Sequence, residues 1–118
     1  MSEYYPDKWV LVKLVSPVFG TVYKILGSWY GGFGGSNAWK LSSGFQDSVL
    51  SSKNGKVYTF PQSSGSVYSC HAETYGMSMY TSGILAYSEN RLAALNDGSS
   101  ISVVPEKDIA EVIKFKVN

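Results

Sequence analysis

The chain's single cysteine and single histidine, Cys70 and His71, stand next to each other and are its most reactive pair. A thiolate nucleophile needs a base within hydrogen-bond reach. Residues 66–71 read as a short strand, where neighbouring side chains point to opposite faces, so the two are badly placed to serve each other. A small buried Cys70 and a surface His71 is the simpler reading. Zinc wants three or four N, S or O ligands, and one Cys with one His does not supply them, so no metal site is expected. Gly76-Met77-Ser78-Met79-Tyr80 lies between a predicted strand and a predicted helix, the place of a nucleophile elbow, but the second glycine of G-x-S-x-G is missing. Ser78 reads better as a helix N-cap. Glu73, Glu89 and Glu111 fall in different predicted elements, so no carboxylate pair is legible. No catalytic set is complete; a small enzyme using Cys70 or Ser78 is an alternative reading.

The run Gly31-Gly32-Phe33-Gly34-Gly35-Ser36-Asn37 invites a phosphate-binding reading. It lacks the Gly-Lys-Ser/Thr of a P-loop, and Asn37 stands where G-x-G-x-x-G needs its last glycine. It also leads into a strand, so no helix dipole would face the phosphate. No cofactor is expected.

Aromatic residues beside flexible backbone are the stronger signal. Trp29, Tyr30, Phe33 and Trp39 bracket the glycine run, and Tyr58, Tyr68, Tyr75, Tyr80 and Tyr87 follow. Tyrosine and tryptophan give large contact area at small entropy cost, while Ser, Gly and Asn adapt their hydrogen bonds; binding loops use this mixture. The same rings can stack on a nucleobase, with Lys40 or Arg91 near a phosphate. The predicted binding set is therefore Trp29, Tyr30, Phe33, Asn37, Trp39, Lys40, Tyr68, His71, Tyr75 and Arg91. Trp9, Tyr23 and Phe115 are expected to be ordinary core residues.

Composition narrows the partners. The net charge is +1, and Arg91 is the only arginine beside nine scattered lysines. Sequence-specific nucleic-acid binding needs a clustered basic stripe and favours the planar fork of Arg, so it is not expected. Only 16% of residues are charged, against about 25% in an average domain. Much of the surface must then be Ser, Gly, Thr, Tyr and Asn, a surface suited to binding or to a homo-oligomer. No apolar run reaches the roughly 18 residues of a membrane span, and Met1–Lys8 has no signal-peptide core. A lone cysteine forms no internal disulfide. A cytoplasmic protein is expected.

The elements that position these residues follow from periodicity. At 118 residues the chain makes one domain. Residues 8–16 alternate Val10, Val12 and Leu14 with Trp9, Leu11 and Val15, a strand buried on both faces. After a turn at Ser16-Pro17 and Gly20, residues 21–30 form its hairpin partner, with Tyr23, Ile25 and Trp29 on one face. A third strand from Trp39 would put Trp39, Leu41, Ser43 and Phe45 on one face. Asn54-Gly55 signals a hairpin between a strand near Val49-Leu50 and residues 56–60, closed by Pro61. Ser63-Ser64-Gly65 turns into the strand 66–71. Helical spacing of Tyr80, Ile84, Tyr87 and Arg91, with Leu85, Leu92 and Leu95 beside them, predicts a helix over about 78–96. Asn96-Asp97-Gly98 stops it, the glycine free to take the left-handed cap. Residues 101–104 return to a strand, Pro105–Asp108 opens a helical turn, and Ile113, Phe115 and Val117 suggest a final strand. The expected class is α+β: a mostly antiparallel twisted sheet of five to seven strands with one principal helix packed on it.

Trp29-Tyr30-Gly31-Gly32-Phe33 with Trp39-Lys40-Leu41-Ser42-Ser43-Gly44, and Gly65–His71 with Tyr75-Gly76-Met77, resemble small uncharacterised accessory proteins of tailed bacteriophages. The similarity spans roughly residues 8–95 and assigns no functional residue. It implies a viral protein acting in the host cytoplasm by binding: inhibiting a host or defence protein, or sequestering a nucleotide-type immune signal.

Overall fold

In the computed structural model, residues 3–18, 20–29, 38–45, 51–77 and 79–113 are described. They form eight strands and one long helix: β1 (Glu3–Tyr4), β2 (Lys8–Ser16), β3 (Gly20–Trp29), β4 (Ala38–Leu41), β5 (Ser52–Asn54), β6 (Val57–Pro61), β7 (Val67–His71), α1 (Met79–Leu95) and β8 (Ser100–Val103). A 3-10 turn (Glu106–Asp108) then leads into the single-turn α2 (Ile109–Val112). The class is α+β, as the periodicity predicts, but the strands make two sheets of four rather than one sheet. Their orders are β1-β7-β6-β5 and β4-β3-β2-β8. Every pairing between named strands is antiparallel except β1 with β7.

β2 is the reason for three layers. Its first half is buried on both faces, because Trp9 and Leu11 point one way while Val10 and Val12 point the other. Trp9 and Leu11 join Tyr23, Ile25, Phe45, Tyr58, Phe60, Tyr68 and Cys70 in the core between the two sheets. Val10, Val12 and Leu26 form a second core with Leu85 of α1. Fully burying side chains of this size contributes about 1.5–3 kcal/mol each. The first sheet, the second sheet and the helix are thus stacked in that order.

The segment that begins with β4 departs from simple alternation. Leu26 pairs with Leu41, yet Tyr23 pairs with Phe45, so one extra residue is inserted in the 41–45 segment. This bulge reverses the side-chain phase. Trp39 and Leu41 lie on the helix side, while Phe45 enters the core between the sheets, so the expected common face does not exist. Gly44 has φ +106. A Cβ there would lie 2.7 Å from Val22 Cγ1, so both conformation and space require glycine. Ser42 repairs the ladder at the bulge. Its N–H donates to the Ile25 carbonyl at 2.9 Å, and its hydroxyl oxygen accepts the Ile25 N–H at 2.8 Å. Gln62 closes the corner, accepting the Gly44 N–H at 3.1 Å and donating to the Phe60 carbonyl at 2.9 Å.

Two turns differ in detail from expectation. Asn54 pairs with Val57, so the two-residue loop is Gly55-Lys56, with positive φ at Gly55 (+62) alone, a type II′ pattern. The strand leading in is Ser52–Asn54; Val49-Leu50 lies outside the described residues, as do Ser78, Phe115 and Val117. α1 ends where predicted, but Asn96, at φ +51, takes the left-handed position directly after the helix. Ser42→Ala would orphan a buried N–H. A loss of about 1–3 kcal/mol is expected in denaturant unfolding, with the β2–β3 hairpin amides still protected from exchange.

Candidate functional site

The predicted binding residues separate into four places. Trp29 pairs with Ala38 and Trp39 with Ser28, so the two indoles lie on opposite faces of the second sheet and do not form one surface. Tyr30, Phe33 and Asn37 lie outside the described residues.

Trp29, Lys40 and Tyr68 do come together, around a residue that sequence reasoning missed. Tyr4 stacks on Tyr68 with ring centroids 4.9 Å apart and meets Trp29 edge-on at 6.3 Å. The Lys40 ammonium sits 5.0 Å from the Tyr4 ring centre, a cation–π contact. Trp29 Nε1 donates to the Tyr5 carbonyl at 3.1 Å. The N-terminal segment reaches this position because Gly27 leaves room for Pro6: a Cβ at 27 would lie 3.0 Å from Pro6 Cβ. Tyr68 is buried, and its hydroxyl has no hydrogen-bond partner among the described residues. Burial, with smaller contributions from Tyr4 and Cys70, pushes its phenol up to about 12. These rings fill one another's faces, so the cluster closes the end of the core.

Tyr75 is a lock. Its hydroxyl accepts the Leu11 N–H at 3.1 Å and donates to the Val104 carbonyl. Val104 N–H in turn donates to the Leu11 carbonyl at 2.9 Å. The phenol oxygen therefore replaces the second bond of a Leu11–Val104 ladder pair. Its ring packs edge-on against Trp9 at 4.6 Å and touches both cores. Burial raises its phenol to about 12, only partly opposed by the bond from Leu11. His71 contributes its carbonyl, which accepts Trp9 Nε1 at 2.7 Å, while the residue itself is exposed. Cys70 is fully buried on the opposite face, and burial pushes its thiol up, away from the reactive thiolate. Strand alternation thus separates the pair as expected.

Arg91 stands on the exposed side of α1, donating to the Tyr87 hydroxyl at 2.9 Å. Among the described residues, no three His, Cys, Asp or Glu side chains are placed to share a metal ion. No helix among them is long and apolar enough to cross a membrane.

On the outer face of the second sheet, the exposed apolar side chains lie at the edge strand β4. Leu85 is the only apolar residue of α1 that is buried among the described side chains, and it covers Val10, Val12 and Leu26. Trp39 (42% exposed) and Leu41 (36%) lie beside that cover on β4, whose four residues are all exposed. Compared with known proteins, the chain matches no family model, no curated protein and no solved structure.

The raised phenols of Tyr68 and Tyr75 set an alkaline limit. Each is held neutral in the fold at a pKa of about 12, against 10.0 for a free tyrosine. Their contribution to stability is complete below about pH 10 and lost as pH rises through about 12. Absorbance titration is expected to show Tyr68 and Tyr75 ionising late, together with unfolding; Tyr75→Phe should reduce that late amplitude by one tyrosine.

Proposed function

We propose that this chain is a non-enzymatic binding protein that engages a protein partner through the exposed residues of β4. One observation carries the reading: Trp39 and Leu41 are exposed together on the same face of a strand that forms the sheet edge among the described residues. An edge strand offers unpaired N–H and C=O groups to a second chain, which gives affinity, and alternate side chains give specificity. Tryptophan is among the residue types most enriched where binding energy concentrates.

The resemblance to phage accessory proteins directs the search to host or defence proteins of a bacterial cytoplasm. Sequestration of a nucleotide draws less support. Tyr4 and Tyr68 already stack on each other, and Lys40 already covers Tyr4. An enzyme using Cys70 would need a thiolate that burial opposes.

A photo-crosslinking amino acid placed at position 39 and, as a control, at Val18 separates surface from mere exposure, since Val18 is the more exposed of the two at 78%. In host cells the position-39 chain is expected to form a discrete adduct that the position-18 chain does not, and Leu41→Ser should weaken it with the melting temperature unchanged. Adducts of equal yield from both positions, or from neither, would place the working surface elsewhere.

A further inference from the structure

Beyond the end of the helix cover, the same outer face holds a pocket of about 280 Å³. It is lined by Leu14 and Ser16 of β2, Gly20, Val22 and Lys24 of β3, and Ser43 of the bulge. Leu14 and Val22 are cross-strand partners and supply an apolar wall. Among the described residues, Lys24 is the only charged side chain in that lining. It is half-buried, and no carboxylate of the described residues pairs with it.

The lysine is also held in place. A Cβ at position 44 would lie 3.3 Å from Lys24 Cγ and 3.4 Å from Lys24 Cε, so its methylenes run across the bare backbone of Gly44. The bulge that reverses the side-chain phase after β4 thus builds a seat for one cation beside an apolar wall. Ligand pockets commonly combine such walls with a few fixed polar groups. A cation partly withdrawn from water interacts more strongly with an opposite charge than a fully solvated one.

We propose that this pocket binds a small aliphatic carboxylate, its alkyl chain against Leu14 and Val22 and its carboxylate accepting from the Lys24 ammonium. The site is independent of the protein-binding reading, because its ligand and its readout require no partner chain.

The test is calorimetric titration of the full chain with octanoate, octanol and octylamine at submicellar concentration, with amide chemical shifts locating the site. Octanoate is expected to bind and to move the Val22 and Ser43 amides, with octanol and octylamine weaker. Lys24→Gln should weaken octanoate by about tenfold or more, the range for a charge-assisted hydrogen bond. Lys24→Arg should restore binding, and Lys40→Gln, on the opposite face, should leave it unchanged. Melting temperatures confirm that each variant is folded. Octanol binding as tightly as octanoate, Lys24→Gln binding as wild type, or no saturable octanoate binding would each overturn the proposal.

Discussion

The Tyr75 hydroxyl occupies a place where two strands would otherwise bond directly, and both cores depend on it. β2 is shared by the two layers of packing, so any shift of β2 disturbs the core between the sheets and the core under the helix together. Trp9 fixes one side of that strand through rings of Tyr58, Phe60 and Tyr75 and through its bond to the His71 carbonyl. The Tyr75 oxygen then satisfies a β2 donor and the acceptor at Val104 in one step. A partly buried polar bridge of this kind specifies geometry because leaving either group unpaired is costly.

From that frame the distribution of surfaces follows. The inner faces of both sheets are consumed by the aromatic core, and the N-terminal segment closes its end through Tyr4. Among the described residues, the outer face of the second sheet is covered by Leu85, with Tyr75, Met77, Ile101 and Val103 packed beside it. At its rim lie Trp39 and Leu41, exposed at the β4 edge, and, past the bulge, the Lys24 pocket. The outward side of α1 adds Tyr87 and Leu95, exposed at 61% and 62%.

Several of these features are legible in the sequence, each for a physical reason. The unbroken apolar run from Trp9 to Val12 in β2 announces burial on both faces, the Asn54-Gly55 step announces a hairpin, and helical spacing announces α1. The opposition of Cys70 and His71 follows from strand alternation alone. The bulge is not legible, because Ser42-Ser43-Gly44 carries no periodic signal and one inserted residue exchanges the faces of Leu41 and Phe45. Tyr4 escapes notice because a two-residue strand has no period and is fixed by a tertiary stack. The separation of Trp29 from Trp39 depends on pairing register, which composition around a glycine-rich loop does not encode. Tyr75 reads as a binding residue by type, yet its hydroxyl is spent on backbone groups remote in sequence.

The most direct measurement is amide hydrogen exchange in wild type and Tyr75→Phe. Phenylalanine keeps the ring against Trp9 and removes only the oxygen between Leu11 and Val104. Selective loss of protection at Leu11, with lowered global stability and with Val22–Ile25 amides following the global value, is the predicted result. A Leu11 amide as protected in Tyr75→Phe as in wild type would contradict the lock.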